Sequence, residues 1–555
     1  MVITKFIFVT GGNLSSLGKG LCASAMAKLV KMTGASVTIM KCDPYLNVDP
    51  GTLNPYEHGE CYVTEDGMET DLDLGHYERF LNQDMERHNS ITTGQVYTSV
   101  LENERKGKFL GKTVQVVPHV TNEIKDRIMY FDGKFEYVFV EIGGTVGDFE
   151  SIPFLETIRQ IRNDLGKFRT CFIHLTYMPL INHNEIKTKM TQHSVKTLMQ
   201  YGIQPDFLVC RVMDKWDVSQ EEENSVKQKI SNFCNVESDR VIINRNVDSI
   251  YDLVGSLNQQ NFVEYLFDFF RVNNVIGSYI PSSTGIRIAL SSAVEKWEET
   301  TRASIPVKPI RVVIAGKYVK VGDAYLSVIE AIKHAASSLN KCVEIELLDT
   351  EGITKDDLCK IKMDACIIPG GFGSRGIEGM ITVAKYCRIN KIPCLGICLG
   401  MQIMAVEFAR NKVFEYDATS TEWNPDAPKN KQVIINMAEY TGDEQMGGTM
   451  RLGSYKNKVV SERLRSIYSF QDTIEERHRH RYEFNSKEFK EKFSDKGLDT
   501  MAEYQKGDIT LTEVIGIENE KFHPFYIGCQ FHPELKSRPE RPHPLFIELL
   551  SKTSR

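Results

Sequence analysis

The chain has 555 residues, of which 41% are hydrophobic and 25% are charged, and its formal net charge is -7. This length predicts two or three domains that each bury an apolar core, and this composition argues against a disordered or membrane-embedded protein. The balance of 67 Lys and Arg against 74 Asp and Glu lacks the overall basic footprint of a nucleic-acid-binding protein, so any phosphate site must be local.

Cysteine usage and the lack of targeting patterns predict a cytoplasmic protein. The 13 cysteines run from Cys22 to Cys529 without a Cys-x-x-Cys pair, which is typical of free thiols in a reducing compartment and does not indicate zinc. The apolar run Phe6 to Val9 stops at glycines with no cleavage site after it, and no stretch has the length and apolarity of a membrane span. We therefore expect neither a membrane nor a nucleic-acid partner.

The order of the predicted elements indicates an α/β protein with two halves. In residues 1–273, short β-branched runs such as Val37–Met40 and Tyr137–Val140 alternate with helix-like stretches, which predicts a mostly parallel sheet covered by helices. Residues 274–309 contain Pro, Ser and Gly clusters that predict a linker. In residues 310–555 a second α/β domain begins with the strand-like run Arg311–Gly316.

The first apolar run leads into a glycine-rich loop that predicts a phosphate site. Gly11–Gly20 follows the strand-like run Phe6–Val9 and precedes a helix-compatible stretch, which is the element order of P-loop folds. Backbone N–H groups of such a loop turn towards an anion, and Lys19 can reach the terminal phosphates. The loop departs from the usual glycine spacing, and Gly20 stands where a hydroxyl would hold magnesium.

Carboxylates and lysines near strand ends are candidates for metal and phosphate contacts. Without a hydroxyl at position 20, the metal needs carboxylate ligands. One candidate is Glu141, which follows a strand-like run. Asp71 and Asp73 are two more, because they would share one face of an extended segment. Open α/β sheets bind ligands at such strand ends, where Lys41 also lies. A second basic cluster, Lys187–Gln192, suits another triphosphate.

The second half contains a nucleophile pattern. Gly396–Gly400 reads Gly-Ile-Cys-Leu-Gly between an apolar run and a helix-compatible stretch, so small residues permit a tight strand-to-helix turn around Cys398. The helix N-terminus favours the thiolate, which indicates a nucleophile rather than a buried structural cysteine. His532 and Glu534 would point to one side of an extended segment, so Glu534 can hold the imidazole that activates the thiol. Gly370–Gly373 offers backbone donors for an oxyanion.

Two histidines in the second half could be taken for metal ligands. His478 and His480 alternate with arginines, and no Cys or acid stands at ligand spacing. We expect them to contact an anion or the substrate rather than zinc.

A phosphate loop in one half and a Cys-His-Glu glutaminase pattern in the other resemble glutamine-dependent amidoligases, and the longer motifs resemble those of CTP synthases. The runs that carry this resemblance are Leu14–Gly20, Lys41–Gly51, Asp71–Phe80, Gly111–His119, Glu141–Ser151, Gly447–Arg451 and Glu476–Glu483. The resemblance implies a P-loop-type, mostly parallel sheet domain followed by a class I glutamine amidotransferase α/β domain.

The resemblance also implies ligand contacts residue by residue. ATP would contact Ser16, Leu17, Gly18, Lys19, Gly20, Lys41 and Asp73, with Asp73 and Glu141 holding Mg2+. UTP and the inhibitor CTP would contact Ser15, Asp148, Phe149, Glu150, Lys187, Lys189, Gln192 and Lys229. The glutaminase triad would be Cys398, His532 and Glu534, and glutamine would contact Gly371, Leu399, Gln402, Glu422 and Arg481. Arg375 falls where the activator GTP would act.

The implied reaction is the ATP-dependent amination of UTP to CTP in pyrimidine nucleotide synthesis. ATP would phosphorylate O4 of UTP, and ammonia released from glutamine would pass between the domains to displace the phosphate. Such enzymes are homotetramers that can form filaments, so a second copy of the chain is an expected partner.

The chain departs from the family pattern at three positions. Met190 replaces a proline and Asn184 replaces a glycine near the pyrimidine end, so a free φ replaces a fixed one at position 190. Asn246 replaces an acid at an adenosine contact.

Two alternatives stay open at this point. One is a ligase that amidates a cofactor carboxylate; the lysines Lys187 and Lys189 and the acids Asp148 and Glu150 argue against it, because its acceptor would carry no triphosphate. The other is a polymerising scaffold, against which the retention of both sites argues.

Overall fold

The computed structural model of the chain describes residues 2–12, 14–53, 55–181, 185–213, 216, 218–273, 283–302, 308–319, 322–437, 450–507 and 509–553. Its strands are β1 Lys5–Gly11, β2 Val37–Asp43, β3 Tyr62–Val63, β4 Glu69–Thr70, β5 Ser90–Thr92, β6 Tyr137–Ile142, β7 Thr170–Tyr177, β8 Leu180–Ile181, β9 Glu185–Ile186, β10 Phe207–Val212, β11 Val241–Arg245, β12 Ile310–Gly316, β13 Val343–Asp349, β14 Ala365–Ile368, β15 Cys394–Ile397, β16 Thr419–Ser420, β17 Gln432–Asn436, β18 Arg451–Val459, β19 Thr473–His480, β20 Tyr482–Phe484, β21 Asp499–Lys506, β22 Ile509–Gly516 and β23 Tyr526–Cys529. Its α-helices are α1 Lys19–Met32, α2 Pro55–His58, α3 Asp73–Leu81, α4 Thr93–Arg105, α5 Thr121–Met129, α6 Ile152–Leu165, α7 Lys189–Gln200, α8 Gln220–Cys234, α9 Leu253–Gln259, α10 Phe262–Val272, α11 Ser283–Thr301, α12 Leu326–Ser338, α13 Lys355–Leu358, α14 Ile377–Asn390, α15 Leu399–Asn411, α16 Glu462–Ile467, α17 Ser486–Ser494 and α18 Pro544–Ser551. Among the described residues, no helix is long and apolar enough to cross a membrane.

The first compact unit, Met1–Pro50 with His76–Glu299, is built on a seven-stranded sheet in the order β11-β10-β7-β1-β6-β2-β5. Every neighbouring pair in this sheet is parallel, which confirms the predicted parallel sheet. Strands β2 and β6 are buried along their whole length, as expected where helices cover both faces. Because the carboxyl ends of parallel strands share one edge, the segments after β1, β2, β6 and β7 begin at the same edge of the sheet.

Helix α11 lies inside the segment that the sequence predicts as a linker. Its residues Leu290, Val294 and Trp297 are buried at helical spacing. The Trp297 indole Nε1 donates to Tyr251 O at 3.1 Å, and Lys28 Nζ lies 4.2 Å from the centre of the indole ring. The helix therefore packs on the first unit, whereas residues 274–282 and 303–307 on either side lie outside the described residues.

The second compact unit, Gly51–Gly75 with Thr300–Arg555, is built on a nine-stranded sheet in the order β13-β12-β14-β15-β23-β22-β21-β18-β19. The strands from β13 to β23 pair in parallel, and those from β23 to β19 pair antiparallel. Apolar residues of α12 and α18 fill one face of the sheet, and those of α14 and α15 fill the other. A three-stranded sheet, β16-β17-β20, also belongs to this unit.

Residues Gly51–Gly75 fold with the second unit, although they come from the first half of the sequence. Arg477 Nε donates to Glu65 Oε2 at 2.7 Å, and Arg479 Nε donates to Glu69 Oε1 at 2.7 Å. The Tyr62 hydroxyl donates to Leu535 O at 2.8 Å, although the two residues are more than 400 positions apart in the sequence. The domains predicted from the sequence, 1–273 and 310–555, are contiguous and place the 51–75 segment in the first domain. These boundaries stay a prediction.

Candidate functional site

Cys398 lies in the turn between β15 and α15, where the sequence predicts the nucleophile. Its φ of 52° and ψ of -102° form a backbone conformation that residues with a side chain rarely adopt. The Cys398 N–H donates to Cys529 O at 2.7 Å, which ties the turn to the neighbouring strand β23. The strained turn therefore holds the sulfur at the carboxyl end of a central strand.

Two glycines allow this turn to form. A Cβ atom on Gly400 would lie 1.9 Å from Ile368 O, and one on Gly396 would lie 2.4 Å from Met404 Sδ. Any side chain at either position would force the backbone of α15 away from the sheet. The Gly-x-Cys-x-Gly pattern in the sequence thus has a direct steric reason.

Half-buried His532 pairs with buried Glu534 beside Cys398. Residues Pro533–Lys536 form a short 3₁₀-helix rather than the extended segment that the sequence suggested, and this turn still places His532 Nδ1 2.8 Å from Glu534 Oε1. Burial alone would lower the pKa of His532, but Glu534 and the Cys398 sulfur raise it to about 10. The imidazole is therefore held in its protonated form between a carboxylate and the sulfur.

The loop Gly370–Gly373 is held by charged side chains on two sides. Lys317 Nζ donates to Phe372 O at 2.8 Å and to Gly373 O at 2.7 Å, and Glu422 Oε1 accepts from the Gly373 N–H at 2.7 Å. Lys317 is 1% exposed, and burial lowers its pKa to about 8. The sequence analysis missed Lys317; its signal is a lysine directly after the buried strand β12.

Residues implied as glutamine contacts surround this loop and the start of α15. Leu399 and Gln402 are buried in the first turns of α15, and Gln402 Nε2 donates to Tyr482 O at 3.2 Å. Arg481 lies with its guanidinium 6.0 Å from the ring centre of Phe372. Burial raises the pKa of Glu422, which Arg481 and Lys317 counteract. These residues put both signs of charge around the 370–373 loop, which contains Gly371.

Arg375, implied as the GTP contact, is already engaged by its neighbours. Its Nη2 donates to the Tyr56 hydroxyl and to Lys317 O, each at 2.5 Å, and its Nη1 lies 3.3 Å from Glu351 Oε2. The same Lys317 that binds the 370–373 loop through its side chain therefore binds Arg375 through its backbone carbonyl.

In the first unit, the predicted phosphate loop joins β1 to α1. Gly18, with a φ of 83°, precedes α1, which begins at Lys19. Lys19 Nζ donates to Gly144 O at 2.7 Å, so it reaches the loop that follows β6. The side chains of Ser15 and Ser16 are exposed, whereas Leu17 and Gly20 are buried.

A buried network that the sequence analysis missed adjoins the phosphate loop. Thr10 Oγ1 lies 2.9 Å from His174 Nδ1, and His174 Nε2 lies 2.8 Å from Ser194 Oγ. Burial, together with the nearby Lys19, lowers the pKa of His174 to about 3, so the imidazole is neutral. The network connects β1, β7 and α7.

Glu141 and Lys41 are register partners on β6 and β2 and form a buried ion pair of 3.2 Å between Nζ and Oε1. The Tyr77 hydroxyl donates to the other oxygen of Glu141. Asp73 is the first residue of α3 and not part of an extended segment with Asp71, and it falls in the second unit while Glu141 falls in the first. A buried carboxylate at the carboxyl edge of the sheet suits the preference of Mg2+ for oxygen ligands.

The residues implied for UTP and CTP lie on two stretches of the first unit. Asp148, Phe149 and Glu150 are exposed immediately before α6, and the Phe149 side chain is 86% exposed. The second stretch is formed by the start of α7 and by α8, which packs against it, and carries Lys187, Lys189, Gln192 and Lys229.

The departures from the family pattern have different structural outcomes. Met190 is the second residue of α7, and Asn184 lies outside the described residues. Asn246 Oδ1 accepts from Arg211 Nη2 at 2.7 Å, and its amide donates to Met213 O. Asn246 therefore joins the segments that follow β10 and β11.

The expectation that His478 and His480 contact an anion or the substrate is wrong. Both lie in β19 and are buried, with His478 Nδ1 3.1 Å from His480 Nε2. Burial lowers the pKa of both histidines well below the usual value. Their neighbours Arg477 and Arg479 instead pair with carboxylates of the 51–75 segment, as described above.

Three cysteines converge in the core of the second unit without a Cys-x-x-Cys pattern. The sulfurs of Cys366, Cys387 and Cys394 all lie within 4.8 Å of one another. Hydrogen bonding to Cys366, together with burial, raises the pKa of Cys387 and Cys394 well above the usual value. Both are therefore neutral thiols within an apolar cluster formed by β14, β15, α14 and α15.

Comparison with known proteins identifies a family match in each half of the chain. Residues 5–272 match the family model described as the CTP synthase N-terminus, and residues 320–552 match class-I glutamine amidotransferase. The fold and the two matches define a glutamine-hydrolysing C–N ligase. The chain is 48% identical over 550 residues to a CTP synthase of Hydrogenobaculum sp. (strain Y04AAS1), which covers 99% of this chain and 97% of that protein. The chain belongs to the CTP synthase family.

A second CTP synthase relative supports this assignment, and one solved structure is also similar to part of the chain. A CTP synthase of Coprothermobacter proteolyticus is 45% identical over 559 residues, covering 100% of this chain and 98% of that protein. Among solved structures, the glutaminase domain of Trypanosoma brucei CTPS with bound acivicin is 32% identical and covers 44% of this chain and 93% of that chain, with a TM-score of 0.40. The two family matches and the two CTP synthase relatives confirm the resemblance and the enzyme class inferred from the sequence, and the sheet topology with the family matches confirms the α/β fold class. The family uses ATP and Mg2+ and acts on small-molecule substrates.

Proposed function

We propose that the chain aminates UTP to CTP with ammonia that Cys398 releases from glutamine, in a reaction driven by ATP. The observation that carries this proposal is the strained turn at Cys398 beside the His532–Glu534 pair, whose Nδ1 and Oε1 lie 2.8 Å apart. A nucleophile, a base and an orienting carboxylate within one compact unit form a complete glutaminase triad.

Glutamine hydrolysis follows from the charges around Cys398. Cys398 attacks the carboxamide carbon, His532 gives a proton to the departing ammonia, and water then releases glutamate from the thioester. Glu422 suits the α-ammonium group of glutamine, and Arg481 suits its α-carboxylate. Lys317 holds the 370–373 loop so that its backbone N–H groups remain in one orientation for the oxyanion.

The first unit activates UTP. Lys19 and the backbone of residues 15–20 bind the phosphates of ATP at the N-terminus of α1. Glu141 would hold Mg2+, which would neutralise charge on the transferred phosphoryl group. Lys187 and Lys189 at the start of α7, with Lys229 on α8, bind the triphosphate of UTP, and the transferred phosphate on O4 becomes the group that ammonia displaces.

The proposal also covers the transfer of ammonia, regulation by CTP and GTP, and assembly of the enzyme. Ammonia moves to the first unit by an enclosed route, because free ammonia at neutral pH is mostly protonated and then is not a nucleophile. CTP inhibits through the UTP contacts and the segment Asp148–Glu150, and GTP activates through Arg375. The working enzyme is a homotetramer that can assemble into filaments, which sedimentation with each nucleotide would test.

The test compares CTP formation from glutamine and from ammonium salt in wild type, Cys398→Ala and the control Cys359→Ala, which changes an exposed cysteine. We expect Cys398→Ala to form CTP from ammonium alone, whereas wild type and the control form it from both sources. No CTP from either source in wild type would refute the proposal, and glutaminase activity that survives in Cys398→Ala would refute the role of Cys398.

A further inference from the structure

Gln530, which no sequence pattern singled out, contacts the sulfur of Cys398. It follows β23 and is completely buried, and its Nε2 lies 3.7 Å from Cys398 Sγ, a hydrogen-bond distance for sulfur. Its backbone N–H donates to Glu513 O at 2.8 Å, so the main chain at this position is fixed by the neighbouring strand β22. The side chain thus reaches the reacting atom from a rigid strand end.

The orientation of the Gln530 amide follows from its neighbours. Gln402 Nε2 faces Tyr482 O, and because a carbonyl oxygen only accepts hydrogen bonds, the nitrogen of the Gln402 amide must lie on that side. The same nitrogen lies 3.3 Å from Gln530 Oε1. The oxygen of Gln530 is therefore turned towards Gln402, which leaves its NH2 group to face the sulfur.

The other neighbours of Cys398 Sγ explain why this donor matters. Sγ lies 3.7 Å from Arg479 O, which can accept from a thiol but repels a thiolate. When the sulfur becomes anionic, the side chains that can donate to it in the described structure are His532 and Gln530. His532 also transfers its proton during the reaction, whereas the uncharged amide of Gln530 keeps its N–H donors throughout.

We propose that Gln530 is a catalytic residue that donates a hydrogen bond to the Cys398 thiolate and keeps it anionic and aimed during glutamine hydrolysis. This assignment rests on the proposed role of Cys398 as the nucleophile. It adds to the site a residue that acts on the sulfur itself.

The test replaces Gln530 by Met, which has similar length and no N–H donor, and by Leu as a second variant. The matched control is Gln432→Met, because Gln432 is also a buried glutamine of the second unit but donates to Ala427 O at 2.9 Å. Each protein is alkylated with iodoacetamide across a range of pH, and modification of Cys398 is followed by peptide mass spectrometry with Cys398→Ala as the blank. The thermal unfolding profile of each variant, compared with wild type, reports whether the second unit is folded.

We expect the alkylation rate at pH 7 to fall about tenfold in both Gln530 variants, because one hydrogen bond to an anion is lost. The glutaminase kcat should fall about tenfold with KM changed less than twofold, and Gln432→Met should match wild type. An unchanged alkylation rate at pH 7 in either folded variant would overturn the role of Gln530. Wild type that lacks glutaminase activity would instead overturn the proposed function.

Discussion

Glu534→Gln tests whether a carboxylate sets the charge of His532. The substitution keeps the size and one oxygen of the side chain but removes its charge. The pKa of His532 is raised to about 10, and the difference from the usual 6.5 corresponds to about 5 kcal/mol in favour of the imidazolium. Because the folded state raises this pKa, the stabilisation is fully present below pH 6.5 and is lost as the pH rises through about 10.

In Glu534→Gln, the pKa of His532 should fall, because only the Cys398 sulfur would then oppose the effect of burial. We expect glutaminase kcat to fall about 10²- to 10⁴-fold at pH 8, because the imidazole loses its orientation and charge. The assay is the pH profile of kcat/KM for glutamate release, whose alkaline limb should move down from about 10. Glu475→Gln, at an exposed position of β19, serves as the control. An alkaline limb that stays near 10, or kcat within threefold of wild type, would refute the reasoning.

Three further predictions concern other parts of the chain. Lys19→Ala should abolish CTP formation from either nitrogen source while glutaminase activity survives, and CTP formation that persists would contradict the phosphate role of the loop. Folding lowers the pKa of Lys317 from 10.5 to about 8, so the free energy of unfolding of wild type should rise by up to about 3 kcal/mol between pH 8 and 10.5. Lys317→Met should lose this rise, which urea unfolding at several pH values would measure. Trp297→Ala should lower the free energy of unfolding by about 3 to 5 kcal/mol, since the indole is buried against Tyr251; a loss under 1 kcal/mol would show that α11 contributes little.

The parts of the sites that the sequence predicted depend on neighbouring residues along the chain. The turn at Cys398 needs glycines at fixed offsets, so its pattern is visible in five consecutive residues. The same holds for the loop before Lys19, where strand, glycines and helix follow one another. Short-range steric demands of this kind leave a local signature that needs no knowledge of the fold.

The parts that the sequence did not predict depend on contacts between distant segments. The 51–75 segment folds with the second unit through pairs such as Arg477 with Glu65, and nothing near either residue indicates its partner. Lys317 is one of 67 Lys and Arg residues and becomes distinctive only when its two carbonyl partners are seen. The helix in the predicted linker was obscured by flanking Pro, Ser and Gly residues, although Leu290, Val294 and Trp297 have helical spacing.

A buried polar cluster behind the triad explains why the histidines of β19 are structural. Arg451 Nη1 lies 2.5 Å from Glu513 Oε1 and 3.4 Å from Glu483 Oε1, and burial raises the pKa of Glu483 to about 8. One of the two carboxyl groups can therefore keep its proton at neutral pH. The positive charge of Arg451 is then balanced by the other carboxylate. Arg451 is the register partner of His480, so this neutral cluster fixes β18 against β19, and β19 carries the Arg479 carbonyl to the Cys398 sulfur. Along β19, the histidines thus face the interior, and Arg477 and Arg479 pair with the 51–75 segment. These side chains hold the strand in register and do not form a binding surface.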